Sequence, residues 1–169
     1  KQTLKKLCPI AAALLLIFLD QSTKLFAASR LKNQADYPLF PGILEFSYLE
    51  NTGAAFSSFM GKQSFLITVT AIAMLFLILK YLQIPEKKAE HYFPLKAALL
   101  LIISGGIGNL ADRVLNGYVI DFIYFVPIDF PKFNVADCYV CIGMAFFAYL
   151  CFFHYKEEEL DFLFTLKRK

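Results

Sequence analysis

Four long apolar runs constrain the fold of this chain more than any other feature. A helix needs about 20 apolar residues to cross the hydrocarbon core of a bilayer, and the sequence offers such runs at 7–28, 64–82, 93–111 and 138–155. With 58% hydrophobic and 18% charged residues, 169 residues carry more apolar surface than a soluble core of that size could bury. We therefore predict an all-α membrane protein with four transmembrane helices, forming one domain over 1–169.

The distribution of basic residues predicts the orientation of these helices. The amino-terminal tail, the middle loop with its flanks and the carboxyl-terminal tail together carry eleven Lys and Arg, against six in the two other segments. The positive-inside rule places the richer side in the cytoplasm, with both termini. The two outer segments are then 29–63 and 112–137.

The outer segments have the composition of strands and turns rather than helices. The first alternates apolar and polar residues between prolines and glycines. The second has a strand-like stretch, 118–126, directly after the turn signal Asn116-Gly117. We expect a small extracytoplasmic β-rich segment between the first two helices, lying on the membrane surface.

The two ends of the chain need separate interpretation. Asp20 and Lys24 interrupt the end of the first apolar run, which favours a retained helix over a cleaved secretory signal. The tail from Lys156 combines three glutamates with a Phe-Leu stretch and predicts a short interfacial helix in the cytosol.

Composition excludes several classes of function. A net charge of +3 without clustered basic residues excludes nucleic acid as a main partner. The four cysteines lie inside apolar runs without the paired Cys and His of a zinc site, so we interpret them as small hydrophobic residues. The two histidines, His91 and His154, are predicted at the cytoplasmic ends of spans. We expect neither a metal nor a cofactor.

Ionisable side chains beside hydrocarbon are costly and mark candidate functional sites. Asp20 and Lys24 lie four residues apart on one helical face, and we expect them to form an ion pair. Asn109, Asp112 and Arg113 close the third span. We expect this end of the third helix to meet water, so the simplest role for Asp112 and Arg113 is to cap the helix and tether its end.

Asp121 and Asp137 are the candidates for catalysis. Asp121 lies between Ile120 and Phe122 with no adjacent cation, and Asp137 follows Asn134 at the start of the fourth span, where a helix N-cap is the alternative role. If the two carboxylates face each other, they cannot both ionise, and the pair holds one proton. One aspartate would then activate water for attack on a peptide carbonyl while the other donates a proton, without metal or covalent intermediate.

Two other functions compete with this interpretation. A dyad of Ser57 or Ser58 with Lys62 or Lys24 lacks the strand–turn–helix elbow that exposes a serine nucleophile. A non-enzymatic small transporter or proton relay is the stronger alternative, because acids at helix ends also line ion paths. Against it, the acidic residues crowd at one interface, which leaves the cytoplasmic half of the spans without acidic residues for such a path.

Five motifs in this sequence resemble those of the lipoprotein signal peptidase family, also called signal peptidase II. They are Asp20–Lys24, Asn51–Phe56, Gly108–Arg113, Gly117–Phe122 and Phe133–Asp137. Each motif alone is a weak signal, but five in family order over residues 20–137, in agreement with the four-helix layout, are highly specific.

The resemblance implies an aspartic endopeptidase of the bacterial inner membrane. Such an enzyme removes signal peptides from prolipoproteins by cutting before the diacylglyceryl-modified cysteine, at the outer interface. Asp121 and Asp137 match its catalytic aspartates. Its other motif positions, which bind substrate or support the aspartates, are matched by Asp20, Lys24, Asn51, Gly53, Asn109, Arg113, Asn134 and Ala136.

The resemblance also implies partners. The substrate is a diacylated prolipoprotein held in membrane lipid, globomycin-type cyclic peptides are expected inhibitors, and we expect a monomer. Asn51 and Arg113 either hold the substrate backbone or buttress the aspartates, and the sequence leaves both roles open.

The charge asymmetry generates a prediction about topology. Single-cysteine variants at Lys32 and Lys132 should react with a membrane-impermeant thiol reagent in intact cells, whereas variants at Lys88 and Lys167 should react only after lysis. Labelling of position 88 from outside would reverse the orientation.

Overall fold

The computed structural model describes residues 2–53 and 61–164. Its α-helices are α1 (Gln2–Leu31), α2 (Gln63–Gln83), α3 (Phe93–Asn116), α4 (Val135–Tyr149) and α5 (Glu157–Phe164). A π-helical turn, Leu150–His154, continues α4. Four helical stretches are long and apolar enough to cross a membrane: Leu7–Leu31, Gln63–Gln83, Phe93–Asn116 and Val135–His154. The predicted four-helix membrane fold is confirmed.

The third span is longer than the sequence pattern predicts. The apolar run ends at residue 111, but α3 continues to Asn116 and so includes Asp112 and Arg113. The helix ends at Gly117, which adopts a left-handed conformation (φ 80°) and donates its N–H to the Arg113 carbonyl. The first five residues of the predicted outer segment 112–137 are therefore helical. Polar side chains extend this helix because they find partners inside the protein.

A three-stranded antiparallel sheet lies at the α3 carboxyl end of the bundle. Its strands are β1 (Tyr37–Phe40), β2 (Leu44–Asn51) and β3 (Val119–Phe125), in the order β1-β2-β3. The first two strands form a hairpin between α1 and α2, as expected, and the third comes from the predicted strand-like stretch between α3 and α4. Leu49 pairs with Asp121 and Asn51 with Val119, so β2 ends beside the candidate aspartate.

Helix α3 is the centre of the bundle. Half of its span is buried, against 11–17% of the spans of the other three helices, which present exposed apolar faces. A Cβ at Gly105 would meet the Ala136 carbonyl, and a Cβ at Gly143 would lie 2.9 Å from the Ala98 carbonyl. The glycines thus let α3 and α4 approach closely.

A short helix follows the fourth span, as predicted for the tail. Leu160 of α5 is buried, and the Tyr92 hydroxyl donates to the Glu159 carbonyl at 3.0 Å. The His91 and His154 rings stack nearby, 6.1 Å apart, at the end of the bundle opposite the sheet. That all of 1–169 forms one domain stays a prediction.

Candidate active site

A buried lysine joins α1 to α3 beneath the sheet. Lys24 is 1% exposed, and its Nζ lies 2.9 Å from Asp20 Oδ2 and 2.9 Å from Asp112 Oδ2. The ammonium also donates to Asn109 Oδ1 at 2.8 Å. The expected pair of Asp20 and Lys24 is present. The interpretation of Asp112 as a cap at a wet helix end is wrong, because its side chain is 1% exposed and shares the lysine.

The two carboxylates around Lys24 also accept hydrogen bonds from N–H donors. Asp20 Oδ1 accepts the backbone N–H of Ala136 at 2.9 Å, so that Asp20 ties α1 to the amino-terminal turn of α4. Gln21 Nε2 donates to Asp112 Oδ1 at 2.9 Å and to Asp20 Oδ2 at 3.2 Å. A side chain at Gly108 would put its Cβ 2.6 Å from Asp20 Oδ2. Only glycine therefore lets α3 pass this carboxylate.

Asn109 connects the buried lysine to Asp137. Its Oδ1 accepts from Lys24 Nζ at 2.8 Å and from Asn134 Nδ2 at 3.2 Å. Because the amide oxygen faces two donors, the amide nitrogen must point the other way, and it donates to Asp137 Oδ1 at 2.8 Å. Lys24 therefore orients the Asn109 amide, which contacts Asp137, although the Lys24 ammonium makes no direct contact with Asp137.

Asp137 is fixed by the first turn of α4. Asn134 is the N-cap of this helix, and Asp137 is the third helical residue rather than the cap that the sequence offered as an alternative. The two form a capping box: Asn134 Oδ1 accepts the Asp137 N–H at 3.0 Å, and Asp137 Oδ2 accepts the Asn134 N–H at 3.0 Å. Both oxygens of Asp137 therefore accept N–H donors.

Asp121 on β3 is held by two asparagine amides. Asn51 Nδ2 donates to its Oδ2 at 2.8 Å, and Asn134 Nδ2 donates to its Oδ1 at 2.6 Å. Burial raises the pKa of Asp121 to about 6, helped by the negative charge of Asp137 and opposed by the hydrogen bond from Asn51. Asn134 contacts both aspartates, through its side chain on one and its backbone N–H on the other.

Arg113 supports the end of β2. Its Nη2 donates to the Gly53 carbonyl at 3.1 Å and its Nη1 to the Asn109 carbonyl at 3.4 Å. The Gly53 N–H donates to Asn51 Oδ1 at 2.9 Å, which directs the amide nitrogen of Asn51 toward Asp121. Asn51 therefore bonds Asp121 directly, whereas Arg113 bonds the Gly53 and Asn109 carbonyls and touches neither aspartate in this geometry.

Both aspartates line one cavity of about 510 Å³. Asn51, Asn109 and Arg113 are the other predicted site residues on its wall. The remaining lining residues, mostly apolar, are Leu49, Val119, Phe130, Pro131, Lys132, Phe133, Cys138, Val140 and Cys141. Such a wall suits a ligand that is apolar except where it meets the carboxylates.

All ten predicted site residues belong to one network, but only five reach the cavity. The other five lie behind it and are Asp20, Lys24, Gly53, Asn134 and Ala136. The individual roles of the ten stay predictions.

Some residues fall outside what the sequence singled out. Gln21 is not among the predicted site residues, although it bonds both Asp20 and Asp112. Its position directly after Asp20, inside an apolar run, is the sequence signal for this role. Ser57 and Ser58, proposed for a serine dyad, lie outside the described residues. Within the described ranges, no three His, Cys, Asp or Glu side chains converge on a point that could hold a metal ion.

The fold and this site define a class of small membrane proteins: four spans, a sheet over one end, and two amide-held carboxylates at a shared cavity. The family model described as Signal peptidase (SPase) II matches residues 12–153. The chain belongs to the signal peptidase II family.

Individual relatives support this membership. The chain is 48% identical over 130 residues to a lipoprotein signal peptidase of Clostridium tetani, covering 75% of this chain and 81% of the relative. It is 40% identical to the one of Caldanaerobacter subterraneus, covering 81% and 90%, and 37% identical to the one of Streptococcus pyogenes serotype M5, covering 92% and 98%.

Two solved structures share the fold. Both are described as bacterial membrane enzymes determined by the in meso method. One has a TM-score of 0.75 at 30% identity, covering 88% of this chain and 94% of that one. The other has a TM-score of 0.73 at 32% identity, covering 82% and 84%.

The buried lysine generates a prediction about stability. Lys24→Met should destabilise the protein by roughly 3 to 5 kcal/mol, because two buried carboxylates lose their common cation. Cleavage activity should fall with stability, since Asn109 loses the donor that orients it. Thermal unfolding in detergent, measured beside activity, tests this.

The matched control is Lys32→Met. Lys32 pairs with Glu50 at 2.7 Å, but both side chains are largely exposed, so unfolding should not change measurably. Loss of activity in Lys24→Met at unchanged thermal stability would mean that Lys24 takes part in the reaction rather than in the scaffold.

Proposed function

We propose that this chain is an aspartic endopeptidase that removes the signal peptide of prolipoproteins by cutting before the diacylglyceryl-modified cysteine. Membership of the signal peptidase II family supplies the peptidase activity and the lipoprotein substrate. The observation that carries the aspartic mechanism is the position of Asp121 and Asp137 on one cavity wall, each held by neutral amide donors. Family membership does not favour the alternative of a small transporter or proton relay.

The mechanism needs one proton on the pair of aspartates. A water in the cavity loses a proton to the ionised aspartate as its oxygen attacks the scissile carbonyl, while the protonated aspartate donates to the carbonyl oxygen. Collapse of the tetrahedral intermediate breaks the C–N bond. The proton that was taken from water passes to the leaving amine, and a hydroxyl of the intermediate returns a proton to the aspartate that donated first, which leaves a carboxylic acid product and restores the starting pair. We assign the donating role at the start of the cycle to Asp121, because its pKa of about 6 makes it readily protonated.

The supporting amides suit this cycle. Asn51, Asn109 and Asn134 hold the carboxylate oxygens with N–H groups whose charge does not change during proton transfer. A lysine or arginine in direct contact would favour the ionised carboxylate and lower its pKa. Neutral donors therefore fix the positions of the two aspartates while allowing one of them to carry a proton.

The cavity wall suits a substrate that is already embedded in lipid. A signal peptide with two acyl chains is apolar, and the cavity is largely apolar apart from the group around the aspartates. Arg113 Nε is buried with no hydrogen-bond partner among the described residues. We assign this N–H to a carbonyl of the bound substrate, beside the buttressing contacts that the arginine makes to Gly53 and Asn109.

We further propose the orientation and the partners of the enzyme. Both termini lie in the cytoplasm and the active site lies at the outer interface of the bacterial inner membrane, because the terminal segments and the middle loop with its flanks carry eleven Lys and Arg in the sequence, against six in the rest of the chain. The protein acts as a monomer, and globomycin-type cyclic peptides inhibit it by occupying the same cavity.

The aspartic mechanism predicts the behaviour of conservative variants. Asp121→Asn and Asp137→Asn retain size but lose the ionisable oxygen, so each should fold and insert while losing nearly all turnover of a diacylated prolipoprotein. The double variant should be scarcely slower than either single one, because one missing partner already disables the step. Cleavage rates of purified, folded variants measure this.

Asp129→Asn is the matched control. Within the described ranges, the exposed side chain of this aspartate accepts a hydrogen bond from the Tyr124 hydroxyl alone, and its replacement should leave turnover unchanged. A folded Asp121→Asn or Asp137→Asn enzyme that cleaves within about tenfold of the unaltered rate would refute the mechanism, since tenfold is only about 1.4 kcal/mol of barrier.

The raised pKa of Asp121 predicts a pH dependence. Because the pair must hold a proton, kcat/KM should fall as pH rises through about 6. Asn51→Ala removes a hydrogen bond that lowers the pKa of Asp121, so this alkaline limb should move to higher pH, by up to about one unit, while the rate falls. The exposed Asn116→Ala serves as control. A limb that stays in place or moves to lower pH would contradict the assignment.

A further inference from the structure

The turn after β2 aims one of the two amides that hold Asp121. Asn51 is the last residue of β2, and its Oδ1 accepts the Gly53 N–H at 2.9 Å while its Nδ2 donates to Asp121 Oδ2 at 2.8 Å. The direction of the amide therefore depends on where the turn 51–53 lies. A shift of this turn would lengthen the bond to Asp121 even with Asn51 itself unchanged.

Two side chains from different helices hold successive carbonyls of this turn. Arg113 of α3 donates to the Gly53 carbonyl at 3.1 Å, and Gln63 of α2 donates to the Thr52 carbonyl at 2.6 Å. The bond from Gln63 closes a stretch of eleven residues. Gln63 is the first residue of α2, so this bond fixes the turn to the start of the second span.

The amide of Gln63 can serve this turn in only one orientation. A backbone carbonyl accepts but cannot donate, so Nε2 must face Thr52. The other atom, Oε1, is buried and has no hydrogen-bond partner among the described residues. A buried acceptor left without a donor is unfavourable and calls for an explanation. The hydrogen bond to the Thr52 carbonyl explains the unpaired oxygen, because this bond keeps the Gln63 amide in the orientation that leaves Oε1 without a donor.

We propose that Gln63 is a positioning residue for peptide hydrolysis, which holds the turn 51–53 so that Asn51 keeps its hydrogen bond to Asp121. The inference rests on the proposed function and adds to it a residue of the second span, a helix that contributes no other group to the site. Gln63 does not line the cavity and acts only through the turn.

The test compares Gln63→Met with the unaltered chain, both purified in detergent with a diacylated prolipoprotein as substrate. Methionine keeps the length of the side chain but cannot donate to Thr52. We expect kcat to fall about tenfold with KM within about twofold, and the alkaline limb of the pH profile to move upward as in Asn51→Ala. A merely structural residue would not move that limb.

The pH readout depends on groups that the substitution leaves in place. The side chains that face Asp121 from the neighbouring elements are Lys24, Asn51, Arg113, Asn134 and Asp137. Since Gln63→Met alters none of them directly, a shifted limb reports a displaced Asn51.

A double variant tests whether Gln63 acts through Asn51. If it does, Asn51→Ala combined with Gln63→Met should be scarcely slower than Asn51→Ala alone. Gln34→Met, at an exposed glutamine away from the site, is the control and should behave like the unaltered chain. If Gln63→Met fails to fold, Gln63→Leu, which is also neutral and cannot donate to Thr52, should give the same loss and the same shift.

Three outcomes would overturn the assignment. They are an unchanged kcat and pH profile in the folded Gln63 variants, a double variant that is slower by the product of the two single effects, and a control that loses as much activity as Gln63→Met. The unaltered chain separates the two levels of the argument. If the unaltered chain does not cleave the substrate, the proposed function fails and this inference fails with it. If the unaltered chain cleaves the substrate and one of the three outcomes is observed, the proposed function stands and only the role of Gln63 is overturned.

Discussion

The Lys24 ammonium is the interaction on which the rest of the site depends. A cation with 1% exposure between apolar helices is stable only with close anionic and polar partners, and Asp20, Asp112 and Asn109 provide them within 2.9 Å. Two of these partners lie on α3, so satisfying the lysine brings α1 and α3 together. Asp20 then binds the first turn of α4 through the Ala136 N–H. A single charge thus fixes three helices.

The four carboxylates of the site fall into two pairs with different partners. Asp20 and Asp112 contact the cation directly, whereas Asp121 and Asp137 contact amide groups. Asn109 stands between the two sets, with its oxygen on Lys24 and its nitrogen on Asp137. The positive charge therefore orients the second pair from a distance. This arrangement explains why one sequence motif contains both Asn109 and a buried acid three residues later.

The sequence predicts the membrane spans and the residues of the site better than it predicts the burial and the hydrogen-bond partners of those residues. Length and hydropathy identify helices because a bilayer requires both, and the i, i+4 spacing of Asp20 and Lys24 predicts their pairing. Hydropathy ends the third apolar run before the helix ends, because it treats Asp112 as a polar residue that faces water. It contains no information about Lys24, which lies opposite Asp112 in the folded protein. The contacts of Gln21 and Gln63 depend on residues brought together by folding. The residues next to Gln21 and Gln63 in the sequence therefore do not indicate these contacts.

The position of Asp121 has a cost that the surrounding structure must offset. Its pKa rises from 3.8 to about 6, so the folded state holds the proton more tightly than the unfolded chain does. Stability contributed by that proton is fully present below pH ~4 and is lost as pH rises through about 6, amounting to roughly 3 kcal/mol at 1.36 kcal/mol per pKa unit. A free carboxylate in this place would relax toward water. The amides of Asn51 and Asn134, themselves fixed by Gly53, Arg113 and the capping box of α4, prevent that movement and keep the acid beside Asp137.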